Sequence, residues 1–345
     1  MTLRERPPFR GDHVGSLLRP GRLHRARADH AAGRMSEEGL RTVEDGAIRD
    51  VVRMQEDLGL PAATDGEFRR ASWHMDFIYQ LGGITRAKDS LHVKFRNEQG
   101  EMDFAPAALR VDGPIRLERP IFTDAFRFLQ QTVTSAVPKL TIPSPSMVHY
   151  RGGRASIDPA VYPDEERFWA DLSAAYAAEV AALAERGDDA EHQHLRNIKQ
   201  INAAIADRPA SMAVTTHMCR GNFRSSWVAE GGYDFVAEAL FSELAVDGFF
   251  LEYDDARSGG FAPLRFVPPG KRVVLGLVTT KRPQLEDRDV LMRRIEEASR
   301  FVPVEQLALS PQCGFSSTVE GNALSLDQQA DKLRLVVDVA EEVWG

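Results

Sequence analysis

The stretch VTTHMCRGNF, positions 214–223, sets an imidazole and a thiol two residues apart, at His217 and Cys219. Side chains at that spacing leave an extended chain on the same side, so a strand ending here aims both at one point. Imidazole and thiolate together form a borderline-soft donor pair suited to Zn2+. Further ligands must come from elsewhere, and the other cysteine of the chain, Cys313 in LSPQCGF, qualifies. A carboxylate from FFLEYDDARSGG also qualifies; Glu252 and Asp254 share one face of that segment, and spacing does not choose between them. Both cysteines fall at the ends of apolar runs beside other polar groups, which sets the metal reading level with that of inert core thiols. Ligands drawn from separate segments differ from a zinc-finger knuckle, whose paired ligands sit in short loops. That favours a catalytic metal over a structural one.

Positioning such groups requires strands whose ends converge. Strand-like runs occur at 12–18, 62–68, 138–144, 211–217, 247–253, 272–278 and 306–312. Helical patterns lie at 36–58, 123–135, 164–186, 191–207, 231–245, 288–300 and 325–343. Strand then helix, repeated, predicts a parallel sheet in an α/β fold. Polar residues cluster where the strands end: Ser16, Asp65, Glu67, Ser144, His217, Cys219, Glu252 and Cys313. A TIM (β/α)8 barrel builds its site at that end, whereas an open nucleotide-binding sheet would show a Gly-rich first turn that HVGSLLRP lacks. The expectation is one barrel domain over residues 1–345. A β insertion after strand 2, spanning 84–120, should add two or three antiparallel strands. Only seven strand runs are found where a closed barrel has eight. Helix 164–186 runs on toward helix 191–207 with no apolar strand between, so the strand 4 segment is missing there.

The chain of 345 residues has 43% hydrophobic and 27% charged residues, as in ordinary globular proteins. A net charge of −8 argues against a nucleic-acid surface. The basic run LRPGRLHRARADH reads as a solvated helix face. No apolar run reaches the roughly 18 residues of a membrane span, and the N-terminus lacks a signal-peptide core. A cytoplasmic location is expected, where a lone structural disulfide is disfavoured.

The segments HMC, LEYDDARSG and SPQCGF, taken together, resemble the zinc-site segments of the cobalamin-independent methionine synthase family. That resemblance implies zinc as cofactor, held by His217, Cys219, Glu252 and Cys313, and so prefers Glu252 to Asp254. DHVGSLLRP resembles the family's stretch that holds the homocysteine carboxylate, which implies Val14, Gly15 and Ser16. TDGEFRR resembles the Gly-Glu segment that contacts the amino acid, which implies Glu67, and TIPSPSM resembles the segment after strand 3. The implied enzyme is a short, single-barrel S-methyltransferase that makes methionine from homocysteine. A thiol with a pKa of about 8.5 is mostly protonated at neutral pH, and zinc would hold it as thiolate.

Two departures from the family pattern stand out. Its Asp/Glu-rich motif for the substrate amino group belongs near Leu183–Glu185, where roughly 20–30 positions, about one βα unit, are either deleted or not carried by this sequence. The family's long members place a histidine after the penultimate strand, where VLGLVTTKRP has none; Lys281 is the nearest cation. The proton source is therefore open among His13, His74, Lys281 and solvent. The methyl donor is open among methyl-folate, a simpler small donor and a corrinoid protein. Alternatives are another zinc–thiol alkyltransferase, such as an epoxide–thiol transferase, and a catalytically inactive zinc-binding relative.

Overall fold

The structure, a computed structural model, describes residues 7–87, 93–97, 100–104, 108–150, 152–184, 198, 201–206, 208–222, 224–227 and 229–345. In chain order the elements begin with α1 (Gly21–Ala31), α2 (Glu37–Asp57), β1 (Ala62–Ala63) and α3 (Met75–Ile78). The strands β2 (Leu81–Ala87), β3 (Val93–Asn97), β4 (Gly100–Phe104) and β5 (Ala108–Leu117) follow. Next come α4 (Thr123–Thr132), β6 (Val137–Pro138), α5 (Met147–Tyr150), α6 (Glu165–Ala184) and β7 (Thr215–Met218). The C-terminal third holds α7 (Ala237–Glu243), β8 (Gly248–Glu252), β9 (Arg272–Val278), α8 (Arg288–Ser299), β10 (Leu307–Pro311) and α9 (Leu326–Trp344).

Three of the longer helices, α2, α8 and α9, start where short polar side chains satisfy free N–H groups. Ser36 accepts from the Gly39 N–H at 3.0 Å, with Glu37 and Glu38 in the first turn of α2 complementing the helix dipole. Asp287 caps α8 by accepting from Val290, and Ser325 with Gln328 forms a capping box on α9. The basic N-terminal run forms α1, which buries only Leu23 and Ala26 and leaves most of its charges on the solvated side.

β7, β8, β9 and β10 form one parallel sheet in the order β10-β9-β8-β7. Every residue of β8, β9 and β10 is buried, the mark of parallel strands covered on both faces. Phe249, Leu251, Val273, Leu275, Leu307 and Leu309 join the large core that includes Leu291 and Ile295 of α8 and Val336 and Val339 of α9. Each such fully buried Leu or Phe contributes about 2 kcal/mol of hydrophobic stabilisation. The alternate residues Phe250, Val274 and Ala308 face the other way and meet Val14 in a separate small layer.

The parallel arrangement continues past β10. Gly11 bridges Leu309 in parallel, the Asp12 N–H donates to the Leu309 carbonyl at 3.1 Å, and Leu17 donates to Gly66 beyond β1. β1 in turn pairs in parallel with β6. Lys139, just after β6, reaches back across this curved surface: its Nζ is 3.0 Å from Asp12 Oδ1 and 4.2 Å from the centre of the Phe250 ring. Seven segments thus follow one another side by side, and among the described residues β6 and β7 do not pair with each other. The expected strand 4 and most of helix 191–207 fall outside the described residues, so the eight-stranded barrel is not completed here.

Several spans differ from the sequence reading. Residues 64–68 belong to a turn rather than a strand, with Glu67 at φ 62°. Residues 139–144 and 211–214 are likewise outside strands, because their apolar side chains pack as loop residues. The span expected to hold two or three antiparallel strands carries four, as the pairs β2–β5 and β3–β4. Arg96 of β3 and Trp227 exchange backbone hydrogen bonds at 2.8 and 2.9 Å, which ties this arm to the loop after β7.

Candidate metal centre

His217 lies on β7 and Cys219 just past its end, while Cys313 follows β10. The parallel order β7-β8-β9-β10 brings these strand ends to the same side of the sheet. One ligand atom from each of His217, Cys219 and Cys313 lies within 4.8 Å of the other two. Both thiols are free, and they hydrogen-bond to each other. That contact pushes the Cys219 thiol well above its usual range, while the same contact holds Cys313 below its own. The buried ring nitrogens of His217 meet no oxygen or nitrogen partner among the described residues, and the ring contacts the Cys219 thiol. An imidazole set against thiols is weakly satisfied, and a metal ion would supply a stronger partner. By donor type and by this setting, the three residues fit zinc.

Glu252, at the end of β8, is fully buried but does not join the three. Its Oε1 accepts from Lys281 Nζ at 3.0 Å, and its Oε2 accepts from the Arg220 backbone N–H at 2.6 Å. Lys281, itself 7% exposed, also donates to Asp254 Oδ2 at 3.3 Å. Burial alone would lower the Lys281 pKa, but the charges of Asp254 and Glu252 outweigh it and the net shift is upward. The Asp254 carboxyl is raised, mainly by burial. Lys281 is thus held between the Glu252 and Asp254 carboxylates.

The other two acid candidates have partners of their own. His13 is buried with Nε2 3.4 Å from the Ala62 carbonyl, and burial, then Lys139, lowers its pKa to about 4. His74 is buried against Trp73 with its Nδ1 3.1 Å from Ser72 Oγ.

The four expected substrate contacts occupy one neighbourhood. Val14 lines the interior layer, and the Gly15 carbonyl accepts from Thr64 Oγ1 at 2.6 Å. Ser16 packs against Gly314, the residue after Cys313, so closely that a Cβ on Gly314 would stand 1.9 Å from Ser16 Oγ. Only glycine can follow Cys313 without displacing that serine. Glu67 holds a left-handed backbone that costs a non-glycine residue of order 1–3 kcal/mol. Its Oε1 accepts from Thr141 Oγ1 at 2.6 Å and lies 3.4 Å from Arg70, while its buried Oε2 has no partner among the described residues. Burial raises the Glu67 pKa. Buried Arg19 ties these loops together, donating to the carbonyls of Glu67, Arg70, Ser316 and Thr318.

Sequence reading missed the side chains that hold the sulfur-bearing loops. Asn222 donates to the Gly314 carbonyl at 2.7 Å and to Thr280 Oγ1 at 3.2 Å, and it contacts the Cys313 sulfur. Thr280 donates to Gln312 Oε1, and Asn322 donates to Asn222 Oδ1 and the Thr280 carbonyl. Arg220 donates to the Gly231 and Glu252 carbonyls and lies over the Tyr233 ring. A signal existed for Asn222 and Arg220, which flank Cys219 within HMCRGN; none existed for Asn322, 100 positions from its partner.

Residues 171–342 match the family model described as cobalamin-independent synthase, catalytic domain. The uncharacterized protein YxjG of Bacillus subtilis (strain 168) is 44% identical, with 99% of this chain and 96% of that protein covered. That alignment runs over 370 positions against a chain of 345, so at least 25 positions of the relative have no counterpart here. A Listeria monocytogenes structure, solved as a candidate vitamin-B12 independent methionine synthase, is 36% identical at TM-score 0.77, covering 98% of both chains. A B12-independent methionine synthase from Shewanella sp. W3-18-1, solved with selenomethionine, shares the fold at TM-score 0.72, with 19% identity and 97% of both chains covered. The α/β fold is that of these TIM-barrel-like structures, and the chain belongs to the cobalamin-independent methionine synthase family.

Proposed function

We propose that the chain is a zinc-dependent S-methyltransferase that forms methionine from homocysteine. One observation carries this reading: His217, Cys219 and Cys313, three of the four donors that the family resemblance implies, have ligand atoms within 4.8 Å of one another. These three residues would hold zinc, which when bound keeps the substrate sulfur deprotonated and nucleophilic at neutral pH. The chain's own residues do the remaining work. Ser16, held against Gly314, stands one residue from Cys313 and so places the amino-acid head beside the sulfurs. The unpartnered Glu67 Oε2 is an acceptor for the substrate ammonium, and Arg70 and Thr141 fix the other oxygen. The Asn222–Thr280–Asn322 network keeps the two cysteine-bearing loops in register before substrate arrives.

Selenomethionine bound by the Shewanella relative is chemically the selenium analogue of the proposed product, which supports this assignment. The methyl donor is proposed to be methyl-folate or another small methylated molecule; the comparisons lend no support to a corrinoid protein. Among the described residues no helix is long and apolar enough to cross a membrane. The test is methionine formation by purified, zinc-loaded protein offered homocysteine with methyl-folate and with simple methyl donors in parallel. The expected result is product with at least one donor and a loss of at least about a thousandfold in Cys219→Ser. No product with any donor, or equal alkylation of thiols lacking the amino-acid head, would contradict the reading.

A further inference from the structure

The geometry points to Lys281 as the positioning residue that keeps Glu252 out of the metal's ligand set, leaving His217, Cys219 and Cys313 as its ligands among the described residues. This inference rests on zinc binding as proposed above. Both carboxylate oxygens of Glu252 are already engaged, Oε1 by Lys281 Nζ at 3.0 Å and Oε2 by the Arg220 N–H at 2.6 Å. Leaving those partners would strand an ammonium and an N–H inside the protein, since the Lys281 side chain is 4% exposed and that of Glu252 fully buried. In such surroundings an ion pair is screened little and a broken one is costly.

Lys281 is also fixed in place rather than free to follow Glu252 toward the sulfurs. Asp254 Oδ2 accepts from it at 3.3 Å, on the same strand end as Glu252. The preceding residue, Thr280, is pinned by Gln312, Asn222 and Asn322. Arg257 completes the group, 3.8 Å from Glu252, 3.9 Å from Asp254 and 2.5 Å from Asp255. Lys281 and Arg257 thus both stand against the Glu252 and Asp254 carboxylates.

The inference predicts a pattern of non-additivity in zinc affinity, measured by competition with a chromophoric chelator. Glu252→Gln in the wild-type background changes the zinc dissociation constant by less than about twofold. Lys281→Met releases the carboxylate and tightens zinc by roughly tenfold, the usual scale for a neighbour that controls a ligand. The double variant Lys281→Met with Glu252→Gln loses that gain. Cobalt(II)-loaded wild type and Glu252→Gln share one visible spectrum, whereas Lys281→Met differs from both. A loss of tenfold or more in Glu252→Gln alone, or an affinity unmoved by Lys281→Met, overturns the inference. If Lys281→Met does not fold, as far-UV circular dichroism reports, the wild-type against Glu252→Gln comparison decides by itself. A wild-type protein that binds no zinc defeats the functional reading as well. Zinc bound by the wild type but weakened in Glu252→Gln defeats only the role of Lys281.

Discussion

The same physics that makes a buried polar group expensive gives individual residues here their meaning. His13 and His217 are both imidazoles with nitrogens that lack partners among the described residues, yet their surroundings differ. His217 faces two sulfurs, whereas His13 faces a carbonyl and Lys139, with burial the main cause of its pKa of about 4. Such a histidine resists protonation in the folded state but accepts a proton at about 6.5 once unfolded. The unfolded state therefore binds the extra proton, and folding stability falls as pH drops from about 6.5 toward about 4. The metal-free protein should lose about 2 kcal/mol between pH 7 and pH 5 through this residue, measured by urea unfolding. His13→Gln should remove that part of the slope; an unchanged slope would show that His13 is not the group responsible. His-x-Cys was legible in sequence because two-residue parity fixes the side on which both groups leave the chain. The partner of Glu252 was not, because Lys281 stands 29 positions away and the pairing exists only once β8 and β9 lie side by side.

At the scale of elements, helices were easier to read than strands. Ser36, Asp287 and Ser325 announce α2, α8 and α9 by short-range hydrogen bonds that sequence displays directly. Strands were read too long at 62–68 and 138–144, because an apolar loop that packs inward carries the same composition as a buried strand. β7 shows a third pattern. Its four residues are all half-buried, unlike the wholly buried β8 and β9. Among the described residues it pairs with β8 alone. An edge strand opens more easily than one paired on both sides. Amides of Thr215–Met218 should exchange with solvent at least about a hundredfold faster than those of Val273–Leu277, as read by hydrogen-exchange mass spectrometry. Equal protection would mean that another strand covers this edge.

Across the whole molecule, the α/β fold and the gathering of His217, Cys219 and Cys313 were both legible from where polar residues interrupt the strand–helix alternation. What composition could not show is how the ends of the chain meet. Gly11 and Asp12 pair with Leu309, and Arg19 binds Ser316 and Thr318, so the N-terminal segment sits beside the Cys313 loop. Those contacts join residues nearly 300 positions apart and set Ser16 against Gly314. In the proposed reaction homocysteine would have its head at Ser16 and Glu67 and its sulfur at an ion held by His217, Cys219 and Cys313. X-ray absorption at the zinc edge, with and without homocysteine, tests this most directly. The account predicts two sulfur neighbours in the zinc-loaded protein and three once homocysteine is added; a sulfur count that homocysteine leaves unchanged would contradict it.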